Sequence, residues 1–150
     1  MKEWKKIIDK QIKQAIKEKD NIRLNVLKLL KTDLINEEVK NNRQTLEEEQ
    51  IMRVIQRAVK KRRESIEEFK KVGQDDRAKV EEEELKILME FLPKQLSEEE
   101  IEKIVNEAIK EANAETMKDI GKVMAIVMPK VRGRADGKIV SEIVKNKLSK

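Results

Sequence analysis

From Trp4 to Leu148, apolar side chains return every third or fourth position and charged ones fill most of the gaps between them. That spacing gathers the apolar groups on one stripe of a helix, whereas a strand would need them at every second position. With 43% of residues charged, 2% aromatic, and only four glycines and two prolines, the composition also disfavours a sheet protein. The expectation is an all-α chain of charge-covered helices. At 150 residues such a chain can bury about two thirds of its unfolded surface, enough for a core without metal or disulfide.

The helices can be placed in turn. Trp4, Ile8, Ile12 and Ala15, with Ile7 and Ile16 alongside, mark a first helix that ends near Lys19. Asp20 is positioned to cap a second, in which Leu27, Leu30, Leu34 and Ile35 form one wide apolar face. Thr45 and Glu48 have capping-box spacing ahead of a long third helix carrying Ile51, Ile55, Ala58, Ile66, Phe69 and Val72, with Gly73 as its C-terminal cap. A fourth opens at Asp75 or Asp76, turns Ala78, Leu85, Leu88, Met89 and Leu92 inward, and is stopped by Pro93.

The sharpest local signal follows. In "LSEEEI", Ser97 and Glu100 make a capping box, and Leu96 and Ile101 occupy the two positions of a hydrophobic staple. A boundary at this point divides the chain into residues 1–92, an N-terminal helical subdomain of about four helices, and residues 93–150, a C-terminal subdomain of three. The three are expected over residues 98–112, about 117–131 and about 137–148.

Much chemistry is removed by composition. Without cysteine or histidine there is no thiol nucleophile, no disulfide, no zinc site of the usual ligand type and no imidazole to move protons near neutral pH. Carboxylates are plentiful, but none stands with a nucleophile or at a metal-ligand spacing, and Gly121-Lys122 lacks the upstream glycine of a P-loop. No catalytic residue, metal or cofactor is therefore expected. No apolar run approaches the roughly 18 residues of a membrane span, and charge interrupts the N-terminus where a signal peptide is apolar, so a cytoplasmic protein without membrane contact is expected.

Net charge is only +5, but its distribution is uneven. Residues 93–115 carry a net −4 and residues 116–150 a net +6. The basic end contains "MPKVRGRADGKIV", where a helix corner accounts for every special residue. Gly133 stands where a helix end wants a left-handed residue, and Asp136 and Gly137 where the next helix begins. Pro129 has no amide hydrogen for the carbonyl of Ala125, and Gly121 lies on the Met117, Met124 and Met128 side of its helix, where a missing side chain permits close approach.

What the corner leaves unexplained is its charge. Lys130, Arg132, Arg134 and Lys138 flank the amide-bearing start of the last helix, a natural anion site whose amides Asp136 competes to occupy. A second basic stretch runs from Arg53 to Arg63, with six basic residues and no acid. Arg57, Lys60, Arg62 and Arg63 are its candidate RNA contacts, against a plainer reading in which the arginine stems cover the edge of the core. RNA would be held by phosphate and shape, because Trp4, Phe69 and Phe91 all stand at apolar-stripe positions and leave no platform for stacking bases.

Three stretches, "KKRRESIEEFKKVGQDD", "ILMEFLPKQLSEEEIEKIV" and "KDIGKVMAIVMPKVRGRADGKIV", together resemble the YqeY family, stand-alone relatives of the C-terminal tail of GatB, the amidotransferase subunit that acts on misacylated tRNA. The likeness spans nearly the whole chain. Ala125 stands where the family carries glycine, Phe91 where it carries tyrosine, and "QDDRAKVEEE" loosens the segment after the third helix. The resemblance implies an N-terminal helical subdomain, a C-terminal three-helix subdomain, and an accessory protein without catalytic domains, related to glutamine-dependent carbon-nitrogen ligases. Its implied partners are tRNA and an amidotransferase or translation protein. Docking on such a protein, through the groove between the two subdomains, is the main alternative to RNA binding. Amide transfer by the chain alone is not expected.

Overall fold

The computed structural model describes residues 3–149. Among them lie seven α-helices: α1 (Trp4–Glu18), α2 (Asn21–Lys40), α3 (Glu48–Lys71), α4 (Asp75–Met89), α5 (Glu98–Ala112), α6 (Ile120–Val131) and α7 (Gly137–Leu148), with a 3-10 turn (Met117–Asp119) before α6 and no strand. The helices fall into two compact units, one ending at Leu92 and the other beginning at Pro93, each with its own apolar core.

In the first unit α1 and α2 form an antiparallel hairpin. The amide of Asp20 donates to the carbonyl of Ala15 (2.9 Å) across Lys19, which takes a left-handed φ of 57°, and the Asp20 carboxylate then accepts the amide of Arg23 (3.1 Å). One residue thus ends one helix and starts the next. Lys5 pairs with Glu38 (2.9 Å) and Lys31 with Asp9 (2.6 Å), fixing the register. At the end of α3, Gly73 has φ 73°, its amide donates to Lys70 and that of Gln74 to Phe69, the paired bonds of a Schellman cap. A Cβ on Gly73 would meet nothing within 4 Å, so its backbone angle alone requires glycine.

Trp4, Ile8, Leu27, Leu30, Leu34, Leu46, Ile51 and Ile55 are buried together in this unit with Leu88 of α4. Removing each leucine or isoleucine from water is worth about 1.5–3 kcal/mol. The periodic stripe misplaces four residues of this unit: Ile7 is 38% exposed, Ile16 57%, Ile35 40% and Val72 68%. Ile35 follows the buried Leu34, and about 100° of helix rotation carries it to solvent. Val72 lies just past the end of α3, beyond the face that packs.

The start of α3 also departs from expectation. Thr45 and Glu48 do not form a box, and α3 begins at Glu48 with Glu47 extended before it and the Gln50 side chain accepting the Glu47 amide (2.8 Å). The cause is Leu46, absent from the periodic stripe but wholly buried. Drawing Leu46 into the core keeps the chain extended there and sets Leu46 and Ile51 at the two staple positions.

The second unit packs α5, α6 and α7 around Val105, Val123, Val127, Val131, Val140 and Val144, all buried. At α5 the Ser97 hydroxyl accepts the Glu100 amide (3.2 Å) while Glu100 accepts that of Ser97 (3.4 Å), with Ile101 in the core and Leu96 packed against it. The helix expected from Met117 opens instead as the 3-10 turn. There Asp119 accepts the amides of Glu115 (3.0 Å) and Thr116 (3.4 Å), and these two bonds hold its carboxyl below the ordinary carboxylate range.

Candidate nucleic-acid interface

The turn from α6 to α7 is built by backbone geometry. Arg132 has φ −56° and ψ 125°, Gly133 has φ 78°, and the amide of Arg134 donates to the carbonyl of Val131 (2.8 Å). These are the angles and the bond of a type II turn, whose third position requires a positive φ. The amide of Ala135 also donates to Val131 (3.1 Å), so the last carbonyl of α6 is used twice. Asp136 caps α7 by accepting the amide of Lys138 (3.1 Å). With that carboxylate on the helix start, an incoming anion is left with the side chains.

A segment distant in sequence braces the corner. The Gln95 amide group donates to the carbonyls of Gly133 (2.9 Å) and Pro93 (2.8 Å), and the amide of Leu96 donates to the carbonyl of Arg134 (2.8 Å). The "LPKQL" and "RGRADG" stretches are therefore two halves of one structure. The sequence holds no local sign of this role for Gln95, because its partner lies 38 residues away.

Lys130, Arg132, Arg134 and Lys138 are all exposed along this braced turn. Lys130 approaches Glu111 of α5 at 3.9 Å, while Arg132 and Arg134 form no ion pair among the described residues. The turn fixes the backbone of the two arginines on either side of the glycine, and their forked donors suit phosphate oxygens.

Gly121 permits no close helix approach, because a Cβ there would find open space. Gly137 has only Met128 Cε at 3.9 Å, an ordinary contact. Pro129 lies inside α6, which continues to Val131. Gly133→Ala is expected to cost about 1 kcal/mol through its left-handed angle, and Gly121→Ala to cost nothing or add up to about 0.5 kcal/mol from helix propensity. Urea denaturation of the two variants checks both; equal destabilisation would contradict the assignment of the turn.

The basic stretch of α3 is divided among different neighbours. Arg62 Nη1 bridges Glu81 (3.2 Å) and Glu84 of α4, and Arg63 reaches the sulfur of Met89 (3.8 Å), so both side chains are drawn against α4. Arg57 pairs with Glu37 of α2 (3.0 Å), and Lys60 is exposed. A sequence sign for Arg62 exists: it stands three residues after Val59 and four before Ile66, on the buried stripe itself.

Comparison with known proteins places the chain in a family. A family model described as Yqey-like protein matches residues 5–148. The chain belongs to the YqeY family. Among its relatives, a glutamyl-tRNA(Gln) amidotransferase subunit of Thermococcus gammatolerans is 44% identical over 57 residues, 35% of this chain and 9% of that protein. The corresponding amidotransferase subunit of Aeropyrum pernix is 46% identical over 59 residues, 37% of this chain and again 9% of the relative. The chain thus spans less than a tenth of these subunits. Altered inheritance of mitochondria protein 41, a mitochondrial protein of Pyrenophora tritici-repentis, is 29% identical over 140 residues, 91% of this chain and 74% of the relative. These partial matches relate the chain to a short stretch of an amidotransferase subunit. Among the described residues no helix is long and apolar enough to cross a membrane, and no group of acids is placed to hold a metal ion.

Proposed function

We propose that this chain is a non-catalytic accessory protein that holds tRNA by its phosphates at the α6–α7 corner, in the service of tRNA-dependent amidation in the cytoplasm. The observation that carries the reading is the pair Arg132 and Arg134, exposed without ion pairs among the described residues on a turn whose carbonyls are fixed by Gln95 and Leu96. Lys130 and Lys138 extend the same cationic edge. The amidotransferase names of the partial relatives supply the RNA class, and in this proposal activation and amide transfer fall to other chains. The α3 residues Arg57, Lys60, Arg62 and Arg63 stay outside this interface, because carboxylates or α4 already engage three of them.

Titrating the purified chain with tRNA at rising salt tests the reading. Four phosphate contacts predict a log-log slope of about −3. Absence of binding at low salt, or a slope near zero, contradicts it. The second reading, a module that docks on a partner protein, is favoured by a groove elsewhere in the first unit.

A further inference from the structure

The first unit carries a groove between α2 and α3 that neither the core nor the tRNA reading uses. α4 packs against both helices. The groove contains two adjoining hollows that share Glu37 and Arg57. One, of about 370 Å³, is lined by Glu37, Gln50, Arg53, Gln56, Arg57 and Lys60. The other, of about 240 Å³, adds Lys40 and Lys61 on its rim, Asp33 beside them, and Val54 and Ala58 at its base.

The lining is strongly one-sided in charge. Five cations, Lys40, Arg53, Arg57, Lys60 and Lys61, face two acids, and one of those acids, Glu37, is spent on Arg57 at 3.0 Å. Arg53, Arg57 and Lys60 follow one another at helical spacing, so they form a row along one wall rather than a scatter. Arg53 has only a long contact to the exposed Glu49 (3.7 Å), and Lys40, Lys60 and Lys61 make no ion pair among the described residues.

We propose that this groove docks an acidic amphipathic helix of a partner protein. A third helix laid along two others is the packing that such a groove accepts, with small apolar side chains over Ala58 and glutamates or aspartates toward the basic wall. Charge complementarity selects the partner's sign. Two features favour a helix over an RNA strand. Asp33 stands within the groove, where it would repel a phosphodiester backbone but can receive an amide or lysine of a helix. The half-buried Ala58 is an apolar patch in the lining that a ribose-phosphate chain cannot use.

The test uses a 20-residue helical peptide with glutamates on one face and alanines on the other, titrated into the full chain at low salt. Binding is expected to weaken with salt, to fall about tenfold in Arg53→Glu with Lys60→Glu, and to strengthen in Glu37→Gln, which releases Arg57 and removes a repelling acid. It should be unchanged in Arg132→Glu with Arg134→Glu, which separates this groove from the tRNA reading. Circular dichroism confirms that each variant is folded. No peptide binding, or binding indifferent to the Arg53 and Lys60 changes, overturns the proposal. Loss of tRNA binding in that groove variant, with the peptide unaffected, overturns it in favour of RNA.

Discussion

Arg132→Glu combined with Arg134→Glu is expected to weaken tRNA binding about a hundredfold at low salt and to lower the magnitude of the salt slope by about 1.5–2. Each reversal removes one phosphate contact and places a repelling carboxylate on a turn that has little freedom to move it away. Folding should be untouched, because both side chains are exposed and neither forms an ion pair among the described residues. Equilibrium binding by fluorescence anisotropy reads the affinity, and thermal melting checks the fold. Unchanged affinity in a folded variant would remove the corner from the interface. Charge-preserving changes to lysine should keep the salt slope while weakening binding only a few-fold, since lysine keeps the charge and loses the fork.

Arg62→Ala is expected to have the largest effect on stability among the basic residues, about 2 kcal/mol. The Arg62 side chain is only 13% exposed, and it separates Glu81 from Glu84 across the α3–α4 seam. Its loss leaves two partly buried carboxylates facing each other without a cation, a situation between the small worth of a surface pair and the several kcal/mol of a fully buried one. Adding Glu81→Gln and Glu84→Gln to Arg62→Ala should restore about half of the loss, because the repulsion goes while the missing stem does not. Urea denaturation measures both. A cost below about 0.5 kcal/mol for Arg62→Ala would show that the seam does not depend on this bridge.

These two predictions separate charges that look alike in sequence. "KKRR" and "RGRADGK" are comparable basic stretches, yet one turns two arginines against a neighbouring helix and the other displays its arginines on a braced loop. What was legible was local. Asp20, Gly73 and the Ser97–Glu100 box are read within a few residues, because the groups that satisfy a helix end lie within one turn of it. The all-helical class follows from the apolar period together with the charge-rich composition, low in aromatic residues and glycine.

What was not legible needed a partner far along the chain. Burial of Leu46 moves the start of α3 and overrides the Thr45 signal, and it depends on residues of α1 and α2 with which Leu46 shares the core. Gln95 became part of the corner only when Gly133 was brought to it. Arg62 was half legible, since its position on the buried stripe could be counted, but Glu81 and Glu84 could not be assigned to it before α4 was seen to pack back on α3. The same limit applies to the α2–α3 groove, whose basic wall reads as an ordinary charge run until Glu37 and Val54 appear beside it.

The central claim is that tRNA meets this chain at the corner between α6 and α7. The most direct measurement is amide chemical-shift mapping of ¹⁵N-labelled protein during titration with tRNA. The account predicts perturbations concentrated at Lys130, Arg132, Gly133, Arg134 and Lys138, fading as salt is raised. Saturating tRNA that leaves those five amides unmoved, or that moves only residues of the first unit, would contradict it.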